Sequence, residues 1–197
     1  MAEEHVGAGG TRWTGENYED ERIPVVCYVG LGSNVCREDS LSRGLQRLAQ
    51  LFPDLRASGV YESPAFGFEG PPFLNLVVRI RSNRNVHGLV RQLKYVESEI
   101  DGPHGGEGLR SRKLDIDLLL HGDSVICEAG LTVPRPEAST RGFVLAPLAE
   151  LAIDEIHPVF GVTWGALWAK LAEKEGVVRY LDADRIYSNA GLSSSRV

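Results

Sequence analysis

The amino-acid sequence predicts an α+β fold in which helices pack on one sheet. Apolar residues alternate over residues 73–80, as in a half-buried strand, and they recur at helical spacing over residues 41–52 and 89–100. The predicted elements follow in the order strand, helix, strand, strand, helix, strand, which is the split βαβ arrangement of a ferredoxin-like α/β sandwich. Apolar periodicity continues beyond residue 135, so we expect a βαββαβ core with C-terminal helical additions.

The first strand is predicted over residues 24–34. Gly30 and Gly32 lie near its end, where small residues allow a tight turn beside a ligand. A helix is expected from about Asp39, with that residue or the serine after it as the N-terminal cap, and Pro53 ends it.

The second and third strands are predicted over residues 55–61 and 73–80, separated by a loop over residues 62–72. A loop of this length inside a compact domain is typical of a functional segment. On the third strand, Phe73 and Asn75 share the face opposite the apolar one. A carboxamide beside an aromatic ring can hydrogen-bond a flat heterocycle. The alternative is that Asn75 is an ordinary polar residue on a half-solvated strand.

The second long helix is predicted over residues 86–100. Glu97 lies at the edge of its apolar stripe, where its carboxylate either pairs with a nearby arginine or reaches solvent. The glycine-rich residues 101–108 follow, and such a segment is either a flexible cover over a phosphate site or an ordinary loop.

The strand after residue 113 carries two acids on one face. Alternation along it places side chains in two sets, with Asp115, Asp117 and Leu119 on one face and Ile116, Leu118 and Leu120 on the other. Two carboxylates roughly 6.5 to 7 Å apart can share hard cations such as magnesium. Upstream cations that match phosphate groups are Arg110, Arg112 and Lys113. The segment indicates metal-assisted phosphate chemistry, and an ordinary solvated strand edge is the alternative.

The remaining chain is predicted to be mainly helical. Residues 125–128 and 131–134 are extended, residues 135–151 are helical in their latter part, and an amphipathic helix starts at Thr163. Arg135 and Arg141 either add to phosphate binding or are surface cations. The final dozen residues are expected to form a loose tail.

Length and composition favour a single-domain enzyme inside the cell. The chain has 197 residues, 43% of them hydrophobic, and a net charge of −6, which argues against nucleic acid or an anionic membrane as a partner. No segment is apolar enough to span a membrane, and the N-terminus lacks the features of a secretory signal, so we expect a cytoplasmic protein. We predict a disordered lead-in over residues 1–23, one domain over 24–175 and an extension over 176–197.

Five sequence blocks together resemble the 6-hydroxymethyl-7,8-dihydropterin pyrophosphokinase family. They follow the order and spacing of that family over about residues 25–160, and they are Val29-Gly-Leu-Gly-Ser-Asn34, Tyr61-Glu-Ser-Pro-Ala-Phe-Gly67, Phe73-Leu-Asn75, Arg112-Lys-Leu-Asp-Ile-Asp117, and Leu131-Thr-Val-Pro134 with Arg141-Gly-Phe-Val-Leu-Ala-Pro-Leu148. The resemblance implies transfer of pyrophosphate from ATP to a reduced pterin in folate biosynthesis, which leaves AMP.

The resemblance also implies roles for individual residues. Asp115 and Asp117 would hold two Mg²⁺ ions and act in catalysis together with Arg110 and Arg112. The residues implied to bind the pterin are Ser63, Pro64, Phe66, Phe73, Asn75 and Phe143. Those implied to bind or order ATP are Glu97, Arg112, Leu118, Thr132, Arg135 and Arg141. A monomer or weak dimer is expected.

The chain departs from the family pattern in the segment before the paired acids. Where the family has Gly-Arg-x-Arg, this chain has Asp-Gly-Pro-His over residues 101–104, a later arginine and tryptophan are missing, and Arg135 replaces a histidine. These changes predict an altered reaction rate rather than a loss of substrate binding. The alternatives are a divergent paralogue with weak activity that binds a pterin or nucleotide, and a transferase acting on another heterocycle.

Overall fold

A computed structural model describes residues 23–102, 110–171 and 176–193. The lead-in apart from Ile23, and most of the glycine-rich segment before Arg110, lie outside these residues. The strands are β1 Val25–Ser33, β2 Arg56–Ala57, β3 Val60–Ser63, β4 Phe73–Ser82, β5 Asp115–His121, β6 Ile126–Glu128, β7 Leu131–Val133 and β8 Val178–Leu181. The helices are α1 Arg37–Leu51, α2 Val86–Asp101, α3 Glu137–Thr140, α4 Gly142–Ala152, α5 Trp164–Leu171 and α6 Ala183–Asn189.

The main sheet is antiparallel and has the strand order β5-β1-β4-β3-β8, with β2 also paired to β4. Without β8, and with β2 and β3 taken together, this is the order of the ferredoxin-like sandwich, so the predicted fold class is confirmed. The separate β6-β7 hairpin and the edge strand β8 are additions.

Both faces of the sheet carry apolar clusters. Leu74, Leu76, Val78 and Ile80 of β4 pack in the main core with residues of α1 and α2, as their alternation predicts. On the opposite face, Val77 and Tyr28 pack with residues of α4 and α5. This second cluster covers part of its face, and the cavity described below lies on the same side of the sheet.

Two predicted helix starts differ in how they are capped. Asn85 caps α2 by accepting a hydrogen bond from the Gly88 amide at 2.8 Å. Helix α1 begins two residues before the predicted Asp39, after Cys36 in the left-handed region, with no side-chain cap. The predicted cap at Asp39 or Ser40 is therefore wrong, and the Ser40 hydroxyl instead donates to the Val35 carbonyl at 3.0 Å.

The predicted strand over residues 55–61 is interrupted at Ser58. The Ser58 hydroxyl accepts from the Val77 amide and donates to the Gly59 carbonyl, while the Gly59 amide donates to Glu150. These side-chain hydrogen bonds replace ladder bonds and divide the segment into β2 and β3.

The predicted alternation along β5 fails at Leu120. Tyr28 of β1 is opposite Leu120 and Val29 is opposite Leu118, so one extra residue enters β5 at this point. Such a bulge shifts the following side chain to the other face. Leu120 consequently packs in the second cluster together with Leu119, instead of with Leu118.

The C-terminal residues are more ordered than the predicted loose tail. Helix α6 extends to Asn189, and Ile186, Tyr187 and Ala190 are buried in the main core. The tail prediction is wrong for residues 186–190.

Among the described helices, none combines the length and the apolar character that a membrane span needs.

Candidate active site

The floor of the candidate site is formed by β4, β1 and β5. Two rows of paired residues cross these strands, Asn75-Gly32-Asp115 and Val77-Gly30-Asp117. Paired residues of neighbouring antiparallel strands point to the same face. Because the central strand contributes two glycines, a hollow opens between the polar residues of the outer strands. Strand β1 continues through both glycines to Ser33, in agreement with the strand predicted over residues 24–34.

Above this floor lies a cavity of about 390 Å³. The loop between β3 and β4, the segment before β5, and the helices α3 and α4 form its walls. The structure brings together in its lining most of the predicted site residues, namely Ser63, Pro64, Phe66, Phe73, Asn75, Arg110, Arg112, Asp115, Asp117, Arg135, Arg141 and Phe143.

One end of the cavity carries the two acids and their arginines. Arg112 Nη1 lies 2.6 Å from Asp115 Oδ1, and Arg135 Nη2 lies 3.1 Å from Asp117 Oδ2. Burial, followed by the neighbouring charge of Asp117, raises the pKa of Asp115, although Lys94 and Arg112 partly counter this effect. Burial and the second carboxylate thus disfavour the charged form of Asp115 even with these cations nearby, so the two carboxylates favour further positive charge.

Lys94 is a site residue that the sequence analysis missed. Its Nζ lies 2.7 Å from Glu97 Oε2, 3.2 Å from Asp117 Oδ1 and 3.7 Å from Asp115 Oδ1. Burial lowers the pKa of Lys94, but the charges of Asp117 and Asp115 and the hydrogen bond to Glu97 outweigh this and leave the pKa raised. The available signal was the spacing of three residues to Glu97, which places both side chains on one helix face.

The other end of the cavity is aromatic. The rings of Phe66 and Phe143 lie 6.4 Å apart at an angle of 38°, and the Arg141 guanidinium lies 3.9 Å from the centre of the Phe66 ring. Asn75 is 7% exposed and its Nδ2 donates to Ser63 Oγ at 3.1 Å. Aromatic faces can cover a flat polar ring system, and a carboxamide can hydrogen-bond its edge.

Asn34, which was interpreted only as a residue at the strand exit, links the two ends. Its Oδ1 accepts from the Arg112 amide at 2.8 Å, and its Nδ2 donates to Ser111 Oγ at 3.0 Å and to the Pro71 carbonyl at 3.3 Å. The side chain is buried, so these bonds fix the loop before β4 against the segment that carries Arg112.

Three residues implied to bind ATP lie outside the cavity lining. Glu97 is 2% exposed and its Oε2 accepts from the Ile116 amide at 2.6 Å, so the alternative that it reaches solvent is wrong. The Leu118 side chain is in the main core, and Thr132 is exposed on β7. Lys113 is also outside the lining, and its amide donates to Asp101.

The donor set at the acid end suits magnesium. Within the described residues, no group of three or more His, Cys, Asp or Glu side chains is arranged to hold a metal ion by itself. Two carboxylates facing a cavity with a basic rim match the preference of Mg²⁺ for one or two protein carboxylates, completed by phosphate oxygens and water.

Comparison with known proteins gives a family-level match. The sequence profile described as 7,8-dihydro-6-hydroxymethylpterin-pyrophosphokinase matches residues 28–153. The chain is 36% identical over 135 residues to the 2-amino-4-hydroxy-6-hydroxymethyldihydropteridine pyrophosphokinase of Aquifex aeolicus, covering 68% of this chain and 84% of that protein. The Synechocystis protein of the same name is 36% identical over 147 residues, covering 72% of this chain and 75% of that protein.

Solved structures with a similar fold include the wild-type HPPK-DHPS of Plasmodium falciparum. It aligns with a TM-score of 0.58 and 15% identity, covering 77% of this chain and 45% of that chain. A triple mutant of the same protein aligns with a TM-score of 0.60. The chain thus spans less than half the length of these solved chains, and at this identity the likeness bears on the fold alone.

Proposed function

Because the chain belongs to the 7,8-dihydro-6-hydroxymethylpterin-pyrophosphokinase family, we propose that it transfers pyrophosphate from ATP to 6-hydroxymethyl-7,8-dihydropterin. The reaction leaves AMP and is a step of folate biosynthesis. The enzyme is a 2-amino-4-hydroxy-6-hydroxymethyldihydropteridine diphosphokinase. One observation carries the proposal for the site: a single cavity joins an acid pair with a basic rim to an aromatic slot lined by an amide.

At the acid end, Asp115 and Asp117 would hold two magnesium ions. Magnesium held there would supply positive charge that neutralises the charge developing on the phosphate groups during transfer. Arg110 and Arg112 also line the cavity, and Arg112 pairs with Asp115. Guanidinium groups match phosphate in a bidentate manner. We assign these four residues to catalysis.

Further contacts to ATP are proposed at the cavity rim. Arg135 and Arg141 line the cavity, and their guanidinium groups would bind phosphate oxygens. Thr132 would contact ATP from β7, and Leu118 through its main chain, because its side chain lies in the core. Glu97 would order the site indirectly through the Ile116 amide and Lys94.

At the aromatic end, we propose that the pterin lies between Phe73 and Phe143. Asn75 would hydrogen-bond its edge, and Ser63, Pro64 and Phe66 would frame it from the loop before β4. This pose directs the hydroxymethyl group of the pterin toward the acid pair. Transfer then depends on positioning and charge neutralisation, with no covalent enzyme intermediate.

The proposed cellular location, oligomeric state and partners follow from the sequence. We propose a cytoplasmic monomer or weak dimer, with ATP and the reduced pterin as partners and without nucleic acid or a membrane. The net charge of −6 supports the exclusion of polyanionic partners.

Substitution of each acid tests the proposal. Asp115→Asn and Asp117→Asn keep the side-chain size but remove a metal-binding charge, so we expect each to lower AMP formation about a hundredfold or more, since even outer-shell changes cost 10 to 100-fold. Asp123→Asn is the matched control, because Asp123 is exposed beyond the end of β5 and outside the cavity lining. Turnover is measured with ATP, Mg²⁺ and 6-hydroxymethyl-7,8-dihydropterin, and unchanged rates in either site variant contradict the assignment.

The same assay separates the two alternatives. A wild-type protein that binds a non-hydrolysable ATP analogue by calorimetry but forms no AMP would be a divergent paralogue with weak activity. AMP formation with an alcohol of another heterocycle, and none with 6-hydroxymethyl-7,8-dihydropterin, would indicate a transferase acting on a different heterocycle.

A further inference from the structure

Lys94 occupies the position between carboxylates where a divalent cation would be expected. Its ammonium group lies among Glu97, Asp117 and Asp115, at 2.7, 3.2 and 3.7 Å. Arg112 pairs with Asp115 and Arg135 pairs with Asp117. Lys94 thus lies within ion-pair distance of both aspartates and links the two carboxylates.

The surroundings of Lys94 allow its ammonium group to leave the aspartates without leaving the site. The Glu97 side chain is 3% exposed and is fixed by the Ile116 amide, whereas the Lys94 side chain is 43% exposed. A flexible four-carbon stem can therefore turn about the Glu97 contact toward solvent. Glu97 remains a partner for the ammonium group in either position.

A magnesium ion and the observed Lys94 position compete for the same oxygen. Magnesium binds carboxylate oxygens at about 2.0 to 2.1 Å. The Lys94 ammonium is 3.2 Å from Asp117 Oδ1. A metal ion on that oxygen would thus lie close to a second positive charge, and the repulsion favours withdrawal of the lysine.

We propose that Lys94 is an internal counter-cation that keeps Asp115 and Asp117 facing the cavity and that magnesium displaces it from them. This inference rests on the proposed function, because it takes the acid pair as the metal site. Lys94 is a positioning residue in this scheme. Its presence weakens binding of a free divalent ion and reserves the acid pair for metal that arrives together with phosphate groups.

Binding of Mn²⁺ alone to the nucleotide-free protein tests the inference. Competing ligands at coupled sites usually change affinity 5 to 150-fold, so we expect Lys94→Met and Lys94→Gln to bind Mn²⁺ about tenfold more tightly than wild type in an electron paramagnetic resonance titration. Lys94→Arg keeps the charge and should stay near the wild-type affinity. Arg91→Met is the matched control, since it removes the same charge from an exposed position of the same helix.

The outcomes are distinct from those of the activity assay. Equal or weaker Mn²⁺ binding in both neutral variants, or the same gain in Arg91→Met, overturns the inference, as does the absence of detectable Mn²⁺ binding to Lys94→Met. Thermal unfolding in chelator checks that the variants fold, and we expect the deficit of Lys94→Met relative to wild type to shrink when Mn²⁺ is added. The Mn²⁺ titration requires no turnover. A wild-type protein that forms no AMP would therefore count against the proposed function, but the comparison of Mn²⁺ affinities could still be interpreted.

Discussion

At the scale of single residues, two glycines, which carry no side chain, shape the site as much as its charged residues do. Gly30 and Gly32 lie in the central strand β1, between β4, which carries Asn75, and β5, which carries the two acids. The sequence predicted the polar residues, because each is set by alternation along its own strand. It did not predict the role of the glycines, since that role depends on the pairing of three strands that are distant in the chain.

Adding bulk at Gly32 should impair pterin binding without unfolding the protein. A Cβ atom there would lie 3.3 Å from Asn75 Oδ1 and 3.7 Å from Phe73 Cδ1, and the position has no left-handed backbone that would disfavour a side chain. We expect Gly32→Ala to raise the KM for the pterin slightly and Gly32→Val to raise it about tenfold or more, as overpacking costs about 1 to 3 kcal/mol. Steady-state kinetics measure this, and an unchanged KM in Gly32→Val would contradict the proposed pose.

Lys94 shows a second limit of sequence reasoning at this scale. The face of α2 was assigned from its apolar positions, and a lysine among them is typical of a solvated surface. Its contacts with Asp115 and Asp117 arise only when α2 packs beside β5. Its spacing to Glu97 was a signal within the helix, but it did not identify the acids on the neighbouring strand.

At the scale of elements, the connection between α4 and α5 is organised around a buried histidine. His157 is 3% exposed, its Nδ1 accepts from the Val159 amide at 3.1 Å and from the Phe160 amide at 3.3 Å, and its ring stacks on Phe160 at 4.1 Å. An acceptor at Nδ1 requires the neutral ring with its proton on Nε2. The sequence analysis did not assign any role to this residue, because loop hydrogen bonds leave no periodic pattern.

This histidine should make the stability of the protein depend on pH. Burial lowers the pKa of His157 below the ordinary value of about 6.5, with a backbone hydrogen bond partly opposing the effect. The unfolded chain therefore takes up the proton first as the pH falls, so the free energy of unfolding should decrease from about pH 7 to pH 5. A His157→Asn variant keeps an acceptor but does not titrate, and it should lose less stability over that range in urea titrations. Parallel curves for the two proteins would refute this explanation.

At the scale of the whole molecule, the C-terminal extension completes the sheet. The family match ends at residue 153, yet β8 pairs with β3, and Arg179 of β8 lies 3.0 Å from Glu150, which also binds the Gly59 amide. The order of the other strands was predictable from the sequence of helix and strand signals. The position of β8 was not, because its residues are mostly exposed and show no alternation.

A buried tyrosine in this extension should contribute to global stability. The Tyr187 hydroxyl accepts from the Ala57 amide at 2.6 Å and donates to the Leu55 carbonyl at 3.5 Å. Tyr187→Phe leaves that amide buried without this partner, so we expect a loss of about 1 to 3 kcal/mol in the free energy of unfolding. Tyr180→Phe, an exposed tyrosine of β8, is the control and should change stability by about 0.5 kcal/mol or less. Equal effects in chemical denaturation would argue against a structural role for α6.

The two glycines in the floor of the site also affect how resistance to an inhibitor could arise. A compound that rests on Gly30 and Gly32 meets peptide groups, and no point mutation removes a peptide group. A substitution there can only add atoms on the face of the sheet where the pterin is proposed to lie, so it should impair the natural ligand together with the inhibitor. Escape mutations are therefore expected to be less damaging at the side chains Phe66 and Arg141, which can be shortened, than at the two glycines, and compounds that depend least on these side chains should retain potency longest.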